Sequence, residues 1–361
     1  MPIQINNLNF EGQNIYAGFD SHLKSWKVTI LTDELTLKTF VMPPKPEVLS
    51  NYLHSNFPGA NYYSAYEAGF SGLWAHYQLC NHGINNIVVN PADVPGTQKD
   101  SIQKEDGRDS RKIAHSLRDG RLTPIYTPSE NTLNDRSLVR SRKVLVRDMV
   151  RFKSRIKSFL YFYGIELPEE FSDRNKQWSK RFIKWLENIP MKKESGQQSL
   201  KILIEEARSL KELIKCVTKN IKLLADSENY KERVKLIKTI PGIGLINAMF
   251  ILTEVEDINR FPNAERFASF IGLIPMTHSS GEKEKVGEIT FRSHDYLRST
   301  FVESAWVAIR HDPALLMAYQ NLVKRMEPNN AIIRIAKKLA NRTYSVLKYN
   351  KSYEFGKTNN L

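Results

Sequence analysis

Two short apolar runs, IYAGFD at 15–20 and NYYSAYE at 61–67, each end on an acid, Asp20 and Glu67. Their β-branched and aromatic residues read as strands. An acid at the close of such a strand constrains fold and chemistry together, because in an open α/β sheet ligands gather beyond the carboxyl ends of the strands. Between the two acids, WKVTIL and LTLKTFVM flank the turn-like TDE and predict two more strands. Residues 46–57 then predict a helix with Val48, Leu49, Tyr52 and Leu53 on one side. A helix over 72–82, a fully apolar strand in NIVVNP and a helix over 106–118 follow the second acid.

Three strands, helix, strand, helix, strand, helix is the order of an α/β RNase H-like domain. Two further acids, Asp106 and Asp109, stand three residues apart and share a helix face if that helix begins by Asp106. One local geometry therefore brings all four acids together. Two hard cations in a phosphodiester site stand roughly 4 Å apart and need several oxygen ligands. Four acids supply them; one or two exposed acids do not. Most Asp and Glu side chains are simply solvated, but the joint placement at two strand ends and one helix face favours ligands. Glu105 points off that face and is expected in solvent.

The chain carries 53 Lys and Arg against 39 Asp and Glu, a formal charge of +14. Such a balance serves solubility and anion binding alike. Its distribution favours the second, because Arg136, Arg140, Arg142, Lys143, Arg147, Arg151, Lys153, Arg155 and Lys157 crowd one segment with Phe152, Phe159 and Tyr161. That pattern fits a phosphate-tracking surface. A hydrophobic content of 41% argues against wholesale disorder. Cys80 and Cys216 match neither zinc spacing nor a disulfide framework. The first ten residues lack the pattern of a signal peptide and no stretch approaches a membrane span, so a cytoplasmic protein is expected.

From about 131 to 238 the sequence is helical and strand-free. Leu203, Ala207, Leu210, Ile214, Val217, Ile221 and Leu224 step alternately by four and three. This seam suits self-association through a coiled coil and an intramolecular helical hairpin equally. KKESGQQS reads as a loop between helices. Next, IPGIG at 240–244 interrupts two helical segments, as in a helix-hairpin-helix. Gly242 and Gly244 there would let backbone amides reach a DNA phosphate, although a tight turn between packed helices reads the same way. The stretch 272–281, GLIPMTHSSG, presents Ser279 and Ser280 in a flexible setting, with Lys283, Lys285, Arg292 and Arg298 following. A serine becomes a nucleophile only where a base, metal or electropositive field favours its alkoxide. By spacing alone a polar turn explains this stretch better, and His278 reads as a hydrogen-bonding loop residue.

YAGFD, AYEAG, VVNP with KEDGRDSRKIA, IPGIG, FASFIGLIP, SSG and EITFRSHDYLR occur in this order along nearly the whole chain. The set resembles the DEDD-type insertion-sequence transposases of the IS-one-ten group, which includes the Piv-type DNA invertases. The resemblance implies a RuvC-like N-terminal domain with metal ligands at Asp20, Glu67, Asp106 and Asp109, holding Mg²⁺ or Mn²⁺, two ions. It also implies an essential serine before a glycine, which falls on Ser280, with Ser279 as the fallback. It further implies a structured guide RNA that pairs with donor and target DNA, homo-oligomers (dimer or tetramer), and a nucleoid-associated bacterial or archaeal protein. Three features depart from the family pattern. Lys24 comes one residue late after the first acid, Ser293-His294 replaces Gly-Asn, and Ser110 replaces alanine.

The expectation is a DNA recombinase with a RuvC-like domain (1–130), a helical coiled-coil arm (131–238), a mainly α serine transposase domain (239–350) and a loose tail (351–361). The acids would hold Mg²⁺ at the scissile phosphate and Ser280 would form a phosphoserine link. Gly242, Gly244, Arg140, Arg147, Arg151, Lys283, Lys285, Arg292 and Arg298 would contact nucleic acid. The alternatives are a metal-dependent nuclease or Holliday-junction resolvase without the serine step, and a non-catalytic nucleic-acid-binding remnant.

Overall fold

A computed structural model describes residues 9–95, 106–173, 176–280, 283–289 and 293–355, with the backbone alone for 106–108, 275–280 and 283–289. The chain divides into two compact units, Met1–Thr127 and Pro128–Leu361.

The first unit is a five-stranded sheet of order β3-β2-β1-β4-β5, formed by β1 (Asn14–Ser21), β2 (Trp26–Leu31), β3 (Thr36–Met42), β4 (Asn61–Glu67) and β5 (Asn85–Val89). The first three strands run as an antiparallel meander, whereas β1–β4 and β4–β5 are parallel. Helices α1 (Pro46–Asn56) and α2 (Trp74–Asn81) supply the crossovers, and α3 (Asp106–Arg118) follows β5. This mixed sheet is compatible with an RNase H-like fold. Side chains alternate across it as the pleat requires. Ile15, Ala17 and Phe19 of β1 join Tyr62 and Tyr66 of β4 and Leu49, Leu53 and Leu79 in one core. On the other face Ala65 and Val89 pack with Ile113 of α3. Asp20 and Glu67 therefore belong, by register, to the face that α3 covers.

Helix α3 sits unusually close to β1. A Cβ on Gly18 would lie 2.2 Å from the Ala114 nitrogen and 2.6 Å from the Ser110 carbonyl oxygen, so only glycine permits this approach. Ser110 is fully buried. Its Oγ lies 2.9 Å from Thr29 Oγ1, which in turn lies 3.0 Å from Thr39 Oγ1. The serine that replaces the family's alanine thus ties the first turns of α3 to β2.

The second unit opens with α4 (Glu130–Phe162), followed by α5 (Lys180–Glu187) and α6 (Glu194–Ala225). At ~1.5 Å per residue the two long helices each run about 50 Å. They are antiparallel. Ile156 and Leu160, late in α4, share a core with Leu200 and Ile204, early in α6, whereas Val139 packs with Val217 and Ile221. The heptad seam is thus covered within the chain: Ala207, Leu210, Val217 and Ile221 are buried there. KKESGQQS is a loop only in its first two residues, because α6 begins at Glu194. The Gln197 side chain accepts a hydrogen bond from the Met191 amide at 3.2 Å, and burial of Leu200 and Ile204 extends the helix back over this polar stretch.

The arm's base shares its core with the rest of the unit, α7 (Lys231–Ile237), α8 (Leu245–Val255), α9 (Ala264–Ile271), α10 (Asp295–Ala308), α11 (Pro313–Val323) and α12 (Pro328–Tyr349). Between α9 and α10 stands a two-stranded antiparallel ribbon, β6 (Pro275–Ser280) and β7 (Lys283–Ile289). The serine region, expected as a flexible stretch in a mainly α domain, is therefore strand. Its polar run lacks the apolar alternation that announces a half-buried strand.

Candidate active site

Parallel pairing of β1 with β4 sets Phe19 beside Tyr66, so Asp20 and Glu67 follow as neighbours at the carboxyl ends of two interior strands. Asp109 lies in the first turns of α3, immediately before the Ser110 that touches Gly18. Three of the four predicted acids thus belong to one face and one end of one sheet. Asp20 also meets the chain's own His22, whose Nε2 lies 2.9 Å from Asp20 Oδ2. Asp106 starts α3, but its side chain lies outside the described residues. Among the described residues no three His, Cys, Asp or Glu side chains are gathered closely enough to hold a metal ion.

Ser279 and Ser280 close β6, and the register sets Ser280 opposite Lys283, Ser279 opposite Glu284 and His278 opposite Lys285. The ribbon is mounted on a narrow neck. Gly272 caps α9 at φ +85°, and a Cβ there would come within 2.1 Å of the Ser293 Cβ. The His294 amide donates to the Phe270 carbonyl at 3.3 Å. Entry and exit of the ribbon are therefore in direct contact. Arg292 lies outside the described residues, as do the side chains of Lys283 and Lys285.

A family model described as "Transposase IS116/IS110/IS902 family" matches residues 234–320, and a DEDD transposase model matches 18–165. The "Transposase for insertion sequence element IS1533" of Leptospira borgpetersenii is 29% identical over 266 residues, covering 70% of this chain and 72% of its own length. The corresponding transposase of element IS1111A from Coxiella burnetii is 25% identical, covering 76% and 74%. A "Pilin gene-inverting protein" of Moraxella bovis is 34% identical over 129 residues, covering 34% and 39%. The chain belongs to this transposase family. It is an enzyme that acts on DNA, in transposition or recombination, and membership of the DEDD group implies dependence on a divalent metal ion. Among the described residues of the transposase, no helix is long and apolar enough to cross a membrane.

A carboxylate that sequence reasoning missed organises the second unit of the transposase. Glu254, in the last turn of α8, is 2% exposed. Arg140 of α4 grips it with two hydrogen bonds, Nε to Oε1 at 2.6 Å and Nη2 to Oε2 at 2.8 Å. Arg136 Nε stands 3.4 Å from Oε2. His294 caps α10: its Nδ1 accepts from the Leu297 amide at 3.2 Å, which leaves Nε2 to donate to Glu254 Oε2 at 3.0 Å. Burial alone would push the Glu254 carboxyl up, but the bonds from His294 and Arg140 prevail and hold it at about 2. The cluster joins arm, α8 and the neck of the serine ribbon. A lone acid in the apolar run INAMFILTEV was the available signal, since a buried charge requires partners.

The other nucleic-acid candidates fall in varied places. Arg140 faces Glu254, whereas Arg147 and Arg151 are exposed on α4, with Arg151 Nη1 3.3 Å from Asp148. Arg298 lies 2.6 Å from Asp295. Gly242 has φ +83° and a Cβ there would lie 2.2 Å from the Ser304 carbonyl oxygen, so the PGIG turn packs tightly on α10. Gly244 caps α8 in open space.

Proposed function

We propose that this transposase cleaves and rejoins DNA strands with a metal-bound acidic tetrad and a serine nucleophile. Residues 1–130 form the metal domain, 131–238 the arm and 239–350 the serine domain. The observation that carries the reading is the parallel β1–β4 pairing, which sets Asp20 and Glu67 side by side under the face covered by α3 and Asp109. A donor set of carboxylate oxygens alone fits a hard divalent ion such as Mg²⁺ or Mn²⁺. Asp20, Glu67, Asp106 and Asp109 would hold it, and the ion would supply electrostatic stabilisation to phosphodiester oxygens. Gly18 and the Ser110–Thr29 bond orient Asp109 by seating α3.

Ser280 is the nucleophile and Ser279 its fallback. The Ser280 Oγ forms a bond to phosphorus while a deoxyribose oxygen leaves and takes up a proton. A strand hydroxyl attacking the phosphoserine reverses the step and frees the serine, so the bond energy is conserved for rejoining. Lys283 stands opposite Ser280 in register, and a cation beside a serine hydroxyl would favour its alkoxide. Target choice through a structured guide RNA, and assembly as a dimer or tetramer, rest on the family resemblance.

The test is recovery of a denaturant-resistant protein–DNA adduct from a recombination reaction. Ser280→Ala should abolish adduct and joining, Ser279→Ala should spare both, and Asp20→Ala should abolish turnover while DNA binding persists. Recombination without any adduct, or cleavage intact in Ser280→Ala, removes the covalent step and favours the metal nuclease. Sequencing the nucleic acid that co-purifies tests the guide: a single discrete structured RNA is expected.

A further inference from the structure

The outer face of α4 near the arm's tip carries a pattern that the proposed chemistry does not use. Tyr161 and Phe162 close the helix at 88% and 81% exposure, although Ile156 and Leu160 on its opposite side are fully packed. With Lys157 and Ser158 they line a shallow depression. Toward the arm's base, Arg147, Arg151 and Arg155 follow at intervals of four, all exposed. A four-residue step rises ~6 Å along a helix, so the three guanidiniums form a row one turn apart. At 3.6 residues per turn, Arg147, Arg151, Arg155, Lys157, Tyr161 and Phe162 share an arc of about 160°. Among the described residues, no carboxylate forms an ion pair with Arg147, Arg155 or Lys157, and Asp148 reaches only Arg151, at 3.3 Å.

Rings beside a one-sign row of cations match the chemistry of an unpaired strand. Phosphates track the charge and bases lie on the rings, since every base has a stackable face. An apolar partner surface would match the rings but would leave the cation row unanswered. A duplex would match the row, but its bases are already stacked. Because the enzyme acts on DNA, strand exchange itself generates such a ligand. We propose that this face of α4 docks single-stranded DNA, with Arg147, Arg151, Arg155 and Lys157 on successive phosphates and Tyr161 and Phe162 stacking on bases. The inference rests on the transposase assignment and not on the serine step, so it is tested by binding.

The experiment uses the full chain and three fluorescent probes: an oligothymidylate, an oligouridylate and a duplex of equal length. Tyr161→Ala/Phe162→Ala should weaken oligothymidylate binding about tenfold or more and leave the duplex within about twofold. Arg155→Ala/Lys157→Ala should lower the salt slope of oligothymidylate binding by ~1.4, at ~0.7 per phosphate released. Tyr161→Leu/Phe162→Leu keeps the apolar area without the rings and should not restore binding. All six side chains are exposed, so the thermal midpoint should hold and serves as the folding control. Unchanged oligothymidylate affinity, rescue by leucine, an equal loss on the duplex, or binding of oligouridylate alone overturns the proposal. A fall in molecular mass without a loss of affinity also overturns it and assigns the face to a second copy of the chain.

Discussion

Removing the charge of Glu254 should destabilise the second unit more than any surface change. Glu254→Gln keeps the shape and one acceptor oxygen but deprives Arg140, Arg136 and His294 of a shared anion. The carboxyl is held at about 2 against an ordinary 4.5. At ~1.4 kcal/mol per pH unit that difference corresponds to about 3 kcal/mol. Arg140 is 44% exposed, so solvent screens part of its share and the expected loss is ~2 kcal/mol. Glu254→Ala should cost more, about 3–5 kcal/mol, because it strands buried cations and leaves a void. Denaturant unfolding of wild type and variants, followed at several pH values, measures both. The sign follows from linkage. A carboxyl depressed in the folded state stabilises fully above its unfolded value of 4.5, and that contribution is lost as pH falls toward about 2. The gap between wild type and Glu254→Gln should therefore stay constant near neutrality and narrow below pH 4.5. A gap under about 0.5 kcal/mol, the level of an ordinary surface substitution, or one that ignores acid, refutes the assignment of this carboxylate as the anchor of the cluster.

Two further substitutions test close approaches. Gly18→Ala places a Cβ 2.2 Å from the Ala114 nitrogen and should lift α3 from the sheet, lowering the melting point of the first unit and weakening Mn²⁺ binding measured by calorimetry. A tolerated alanine there would mean that α3 is not seated on Gly18. Gly242→Ala meets the Ser304 carbonyl oxygen at 2.2 Å and φ +83°, and should destabilise by at least ~1–3 kcal/mol in thermal unfolding, whereas Gly244→Ala, in open space, should cost under about 1 kcal/mol. Equal effects at the two positions would argue against the packed turn.

Much of the first unit was legible from the sequence. β2, β4 and α3 run over the same residues as the predicted elements, because strand and helix periods are local properties that sequence carries directly. The polar ribbon and the start of α6 were not legible. Their residues lack a periodic apolar signal; the ribbon is held by the pairing of β6 with β7, and the early part of α6 by packing of Leu200 and Ile204 with Ile156 and Leu160. The two PGIG glycines look equivalent in sequence, yet a Cβ on Gly242 would run into α10 whereas one on Gly244 would meet open space.

By itself, then, the sequence determined the order of strands and helices, the acids at two strand ends, the heptad stripe and the basic crowding of α4. Tertiary structure alone decided that β1 pairs in parallel with β4, that Gly18 lets α3 carry Asp109 onto their shared face, that the stripe of α6 is covered by α4 of the same chain, and that Arg140 turns inward to Glu254 while Arg147, Arg151 and Arg155 face out. The reason is physical. Patterning along a chain fixes which side of an element is apolar, but a stripe or a cation is indifferent to which partner satisfies it, and only the packing of distant segments makes that choice.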